Sequence, residues 1–494
     1  MANVPVPQIN LTVKDFQTGV ALRATTLMCL IGVCSKGDTN KVLTLTDSRD
    51  VPGVLGAGKL AQAVAHTLGA GGGPVYALRL NASTKGSVGA VTTDRADAPD
   101  GGSVSTGTLA VTGDPASAYD VIVKITQGGS VAGSDASYAL SFDGGETYGL
   151  PIAVTASSVI TGTGLSLAFD GDYNAGDTFS FSATAPTATT ADLTAGVTAA
   201  LDSSLGFNVL HCVGAATAAQ AAAVQTLIEG AEARRRFVAA VLQARLPNDG
   251  ENQDDYEAAI TAAFAAFSSD QGRVTIAAGK CTYFDPASRG FVVGSPATPA
   301  LARFSIIGLG VDPAAYDLGP LPGVTDVWPD ANTRPALNDA NFLTLRSYYG
   351  EAGYHVTNAV TRAPAGSDFT LLQDRHVINR MAESADRLNR PFLSRGFRVN
   401  STTGFIDERD AQAGELYVKN GLFAEFVSPG IISDVSVSIR RDTNITADRT
   451  IYEDIRALLL ASVKTVDITL AQRNPALDPA SAAVEVGDAE GAAA

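Results

Sequence analysis

One interruption limits what this chain can fold into. "ATTLMCLIGVCSKG" (24–37) is apolar at successive positions, which predicts a strand covered on both faces at the centre of a sheet. A short helix is predicted over Gly58–Leu68, with Leu60, Val64 and Leu68 on one face, and "GGGPVYALRLNA" (71–82) gives a turn and a second buried strand. Strand, helix, strand is an α/β unit. From Ser83 to Thr190 helix formers then recede, and Ser, Thr, Gly and Asp take over. The α/β pattern resumes only at "FNVLHCVG" (207–214), another buried strand. The outer sequence therefore reads as one α/β domain with a separate β domain inserted in a loop.

Inside the interruption, alternation predicts short strands at 106–112, 119–126, 137–142, 164–169 and 177–183, with Asp143-Gly144-Gly145 as a turn. Short alternating strands with turns between them predict a small β-sandwich. The stretch holds eleven acidic and three basic residues, about half of the chain's net charge of −16. "TAPTATTADLTAG" (184–196) reads as its exit linker. Beyond it, Thr217 is the expected N-cap of an Ala-rich helix reaching about Arg245. "RFVAAVLQA" (236–244) and "RVTIAAG" (273–279) bracket an acidic-started helix at 251–268. Pro and Gly at 308–335 mark a boundary. The last part mixes a long amphipathic helix over 369–395, a strand at 435–441, a helix at 450–464 capped by Thr450 and Glu453, and a strand at 466–470. The Ala/Asp/Glu-rich residues after Pro475 are expected to be disordered.

Composition removes several function classes. A chain of 494 residues exceeds one compact core and predicts two to four domains. Its acidity argues against nucleic acid or an anionic membrane as the main partner. Cys29, Cys34, Cys212 and Cys281 are too few and too scattered for a disulfide framework, and are expected as buried thiols. Neither a secretory signal nor an apolar run of about 18 residues is apparent, so no membrane span is expected.

The sharpest chemical candidate is "PGVLGAGKL" (52–60), a G-x-x-x-x-G-K close to a phosphate-binding loop. Leu60 stands where the magnesium-binding Ser or Thr belongs, and "SRDVP" separates the loop from the preceding apolar residues, so a Gly-rich helix entry is the better reading. "FSIIGLGVD" (304–312) imitates a strand ending in a metal-binding Asp, a common pattern. "DGDYNAGD" (170–177) imitates a calcium loop but has Ala175 and Phe181 where Gly and Glu are required, which favours a hairpin turn. His66, His211, His355 and His376 share no metal-ligand spacing, and there is no G-x-S-x-G. Arg234-Arg235-Arg236 reads as a solvated helix face, and Asp374-Arg375 and Asp386-Arg387 as local charge pairs. No catalytic, cofactor or metal residues are assigned, and the chain is not read as an enzyme.

What no enzyme reading explains lies at the two ends. Ile9, Leu11 and Val13 alternate with polar residues, as do Val466, Ile468 and Leu470. A lone strand leaves its N–H and C=O groups unpaired, so strands offered at both ends point to pairing with another chain. Head-to-tail pairing propagates rather than closing as a dimer.

Three stretches carry a family resemblance: "LMCLIGVCSKGDTNKVLTLTD…VLGAGKLAQAVAHTLGAGGGPVYALRL" (27–80), "NFLTLRSYYGEAGYHVTNAVTRAPAGSDFTLLQDRHVINRMAESADRLNRPFL" (341–393), and the terminal "VDITLAQRNP". Together they resemble contractile tail sheath proteins of phages, tailocins and contractile injection systems. The resemblance implies an α/β and α+β multidomain sheath core with terminal strand arms. It also implies a homo-oligomer of stacked six-fold rings around an inner tail tube, with baseplate and tail terminator proteins as further partners. No direct nucleic-acid contact and no cofactor follow, and the location is a virion tail assembled in the host cytoplasm. The arms of neighbouring subunits would complete a shared sheet and act as hinges in contraction. The expected organisation is an arm at 1–20, a core at 21–82 and 191–330, an inserted sandwich at 83–190, a conserved C-terminal domain at 331–465, and an arm with its tail at 466–494. Arg440, Arg441 and Lys464 are the candidates for tube contact. A surface-layer or adhesive protein and a nucleotide-driven motor are the alternative readings.

Overall fold

The structure is a computed structural model describing residues 26–470 apart from 97–104, 134, 143, 146, 161–162 and 249. The arm residues Ile9, Leu11 and Val13, the turn residue Asp143 and the acidic tail fall outside the described residues. The chain divides into a unit ending at Leu459 and a second beginning at Leu460.

The first unit is organised by a six-stranded sheet. Its strands are β1 (Met28–Gly32), β2 (Val42–Leu45), β3 (Val75–Arg79), β4 (Val209–Ala215), β5 (Ala239–Gln243) and β6 (Val274–Ala277). They lie in the order β6-β5-β4-β1-β3-β2, all parallel except β2 against β3. β1 is central, and all five of its residues are buried, as its uninterrupted apolar run predicts. Residues on one face of the sheet, such as Met28, Leu30 and Val241, pack against α1 (Lys59–Gly69). Those on the other, such as Cys29, Leu210 and Leu242, pack against α2 (Thr190–Asp202), α3 (Ala218–Ala233) and α4 (Gln253–Ala263).

Two boundaries differ from expectation. The exit linker is shorter, because α2 already starts at Thr190: Thr189 and Asp192 form a capping box, and Leu193, Val197 and Leu201 supply the buried stripe. The helix capped by Thr217 ends at Ala233 rather than near Arg245. Arg235 turns the chain at φ +66°, and the β-branched "VAAVLQ" segment enters the sheet as β5. The arginine triplet therefore sits in a turn. Arg236 donates to the carbonyls of Ser203 and Leu205 at 2.6 Å each.

Between β3 and α2 the chain forms antiparallel strands. Five are ordered Thr92–Asp94, Thr178–Ala183, Tyr119–Gln127, Ser137–Ser141, Ile152–Ala153, and three are ordered Ser157–Ile160, Leu165–Asp170, Thr108–Gly113. One apolar cluster, including Val123, Tyr138, Leu167 and Phe179, draws on both groups. Its entry and exit are tied together by the Asp192 carboxylate. That group accepts from Asn81 Nδ2 (3.0 Å), Ser83 N (3.1 Å), Ser83 Oγ (2.8 Å), Thr189 N (2.9 Å) and Thr189 Oγ1 (2.8 Å). Burial opposes its charge, but these donors outweigh that and hold its pKa well below the usual carboxylate range.

After β6 come an antiparallel sheet ordered β8-β7-β9, made of β7 (Lys280–Asp285), β8 (Gly290–Gly294) and β9 (Val324–Trp328), and then α5 (Ala297–Ile306) between β8 and β9. "FSIIGLGVD" is thus the end of a buried helix and its exit, not a strand. The C-terminal part holds α6 (Leu372–Asn389), α7 (Glu408–Leu422) and a hairpin of β10 (Ile432–Ile439) and β11 (Glu453–Leu459). The helix expected at 450–464 is replaced by β11. Local propensity and the Thr450/Glu453 cap favoured a helix, but half-buried Ile455, Ala457 and Leu459 alternate with exposed Asp454, Arg456 and Leu458, and pairing with β10 uses that alternation. The described part of the second unit, residues 460–470, contains no helix or strand.

Candidate assembly interface

The near-motif at 52–60 is closed by its own chain. Gly58 begins α1 at φ +126°, a conformation that favours glycine. The Leu60 amide donates to Val33 O (3.3 Å), the Ala57 amide to Ser35 Oγ (2.8 Å), and Ser35 N to Ala57 O (2.8 Å). A Cβ on Gly58 would lie 3.0 Å from Cys34 Cα, and one on Gly56 would lie 2.2 Å from Ser35 Oγ. Donors and space that a phosphate loop gives to its ligand are here taken by residues 33–36 leaving β1. Lys59 Nζ donates to Val293 O at 3.1 Å. Leu60 is fully buried against the sheet, a packing residue.

Other singled-out groups are also turned inward. Asp177, at the end of "DGDYNAGD", accepts from Ala96 N (2.9 Å) and Asn174 N (3.0 Å) and faces Arg95 at 3.5 Å. The four histidines are buried at separate places. His66 Nδ1 meets Phe284 O at 2.8 Å, His211 Nε2 meets Gln243 Nε2 at 2.8 Å, His355 lies against Tyr348, and His376 against Phe304. Burial pushes the pKa of His211 and of His376 down to about 3.

On α6 neighbouring positions point about 100° apart, and Asp386 and Arg387 each meet other groups. Arg375 reaches across to Glu232, which also takes Arg273 at 2.7 Å, a buried cluster that sequence reading missed. Only an isolated Arg beside the apolar "VTIA" of β6 hinted at it. Arg387 pairs with Glu425, while Asp386 takes Arg390 at 2.8 Å and Arg235 at 3.7 Å. α6 and α7 pack Met381, Leu388, Val418 and Leu422 against Ile432 and Val435 of the hairpin.

The C-terminal hairpin forms a two-stranded sheet of its own. β10 and β11 pair over the register from Ile432↔Leu459 to Ile439↔Glu453, and among the described residues neither has a second strand partner. Arg441 is held within the chain by Glu408 (3.1 Å) and Glu415, and this raises its pKa. Arg440 is more open: it lies 3.4 Å from Asp454 and over the Tyr452 ring. Lys464 is exposed in the second unit. So are Val466, Ile468 and Leu470, with 72%, 82% and 95% of their surface accessible. Among the described residues, no strand forms at 466–470.

Known structures share this architecture. The sheath of an extracellular contractile injection system, the PVC sheath complex in its contracted state, aligns over 96% of this chain and 99% of its own at 10% identity, with a TM-score of 0.52. The helical sheath of the anti-feeding prophage in its contracted state aligns over 95% and 100% at 10% identity, TM-score 0.51. A sheath tail protein from Desulfitobacterium hafniense aligns over 92% and 100% at 14% identity, TM-score 0.46. No curated protein sequence matches significantly. The family model described as DUF2586, N-terminal domain, matches residues 6–360, a range that takes in the six-stranded sheet and the Tyr354–Asn358 strand. The chain therefore belongs to the DUF2586 family, and its fold is that of contractile sheath proteins.

Proposed function

We propose that this chain is the structural subunit of a contractile sheath, polymerising as stacked six-fold rings around an inner tube and contracting to drive that tube through a target envelope. The observation that carries this reading is the sheath-type fold, matched along nearly the full length of both chains. The open-edged β10–β11 hairpin and the exposed alternation of Val466, Ile468 and Leu470 supply the means of assembly. A hairpin with a free edge accepts an added strand, and an unpaired strand seeks one. Arms containing Ile9, Leu11 and Val13, and Val466, Ile468 and Leu470, from neighbouring copies complete the hairpin's sheet.

On this reading the chain is not an enzyme and takes no cofactor; contraction draws on energy stored in the lattice. Inner tube, baseplate and tail terminator proteins are its partners, and a particle tail assembled in the host cytoplasm is its location. Arg440, Arg441 and Lys464 are the candidates for tube contact, with Arg441 held by Glu408 and Glu415 and Arg440 beside Asp454. Residues 83–190 form an outward insertion whose acidity keeps the exterior solvated. Electron microscopy of the purified full chain tests the reading. Hollow helical tubes are expected, and a chain that stays monomeric at every concentration and salt tried would overturn it.

A further inference from the structure

A cleft of about 1440 Å³ opens between α6, the 392–399 loop and the inner face of β11. Its floor is apolar, with Met381, Phe392 and Ile455. Its rim carries four arginines: Arg235, Arg390, Arg395 and Arg449. Two of them share Asp386, at 3.7 Å and 2.8 Å. Arg395 stacks on Phe397 at 5.8 Å. Arg449 closes a short turn at φ +52°. The other acid in the cleft is Glu453, which takes Asn389 Nδ2 at 2.6 Å and has its second oxygen buried without a partner.

This cationic rim stands out on a chain of net charge −16, and the sequence holds its counterpart. Of the six arginines in residues 375–398, Arg390 and Arg395 face the cleft, and the rim's four arginines meet only Asp386 and Glu453 as acids lining it. Residues 476–494 contain Asp478, Glu485, Asp488 and Glu490 with no Lys or Arg, and bring Leu477, Val484 and Val486 for an apolar floor. The N-terminal arm offers no such match, since residues 1–20 hold one Lys and one Asp. We propose that the cleft is a docking site for the acidic segment 476–494 of a second copy, its carboxylates meeting Arg395 and Arg449 and its apolar residues covering Met381 and Phe392. Oppositely charged surfaces select partner and register as much as they add affinity. The segment thereby anchors one copy on the next, independently of strand pairing. The proposal rests on the assembly reading only in that two copies must meet.

The test mixes two full-length chains, Arg449→Cys and Asp488→Cys, of different tag length under mild oxidation. The four native cysteines are buried, which keeps the background low. A mixed cross-linked dimer is expected, with a yield roughly tenfold lower when Arg395→Glu is added to the first chain. A yield no higher than that of Asp488→Cys with an exposed Lys41→Cys would overturn the proposal. So would a yield indifferent to Arg395→Glu in a chain of unchanged Tm. Displacement by a synthetic peptide of residues 476–494 supports it, whereas displacement by a peptide of residues 1–25 alone gives the cleft to the other arm and overturns it. Microscopy of the same mixtures separates the two readings. Tubes without the cross-link refute the docking alone, and the cross-link without tubes refutes the sheath reading alone.

Discussion

The six-stranded sheet and the β10–β11 hairpin represent two ways of handling strand edges within one chain. In the sheet, β1 is flanked on both sides and covered on both faces, so its backbone and side chains are all satisfied internally. In the hairpin, each strand pairs once, and β11 alternates between half-buried and exposed residues. The hairpin leaves each of its strands, among the described residues, with one edge that has no strand partner.

Removing the arms should break this contrast most completely. Deletion of residues 1–20, or of everything from Val466, is expected to abolish polymers while circular dichroism still reports a folded monomer; normal tubes in micrographs would refute the arm assignment.

Point changes sharpen it. Leu30→Ala in β1, at 1% accessibility, should cost about 2–5 kcal/mol in a denaturant titration, because a buried methyl cluster is lost and a cavity left. Leu458→Ser in β11, at 63% accessibility, should leave monomer stability within about 0.5 kcal/mol. If the hairpin change proves as costly as the core change, the hairpin is not a surface awaiting a partner.

Asp192→Asn tests the tie between the core and the acidic insertion. Asparagine keeps the shape but loses the charge that accepts from Ser83 and Thr189, at an expected cost of about 1–3 kcal/mol. Limited proteolysis should then cut faster around residues 84–88 and 184–188. Unchanged cutting would show that the tie does not hold the insertion in place.

Acid should separate the regions least sharply. His211 and His376 are neutral when folded, with pKa values of about 3 against about 6.5 unfolded. Above the unfolded value neither state takes up a proton, so their contribution is full. As the pH falls below it the unfolded chain binds protons first, and stability declines by up to about 1.4 kcal/mol per pH unit for each histidine. The unfolding midpoint of the monomer should therefore drop between pH 6.5 and 5, before most carboxylates titrate. A flat profile in that window would show that these rings are not held neutral.

Much of the core was legible. β1, α1, β3 and β4 announce themselves by uninterrupted apolar runs or by a 3.6-residue stripe, and the Thr217 cap fixes the start of α3. The ends of elements were harder. Ala-rich sequence between Thr217 and Arg245 suits helix throughout, and only the turn at Arg235 and the vacancy beside β4 make its second half a strand. The same competition turned 453–459 from helix to strand, since a helix there would have left β10 without a partner.

By itself, the sequence determined the alternation, the apolar runs, the caps and the charge asymmetry, all of which depend on residues near one another in the chain. Only the tertiary structure decided that the loop at 52–60 is filled by residues 33–36, that Glu232 gathers Arg273 and Arg375, and that Arg235, Arg390, Arg395 and Arg449 rim one cleft. Each of these brings together groups far apart in sequence. Their meeting depends on how the sheets and helices pack, which no local pattern encodes.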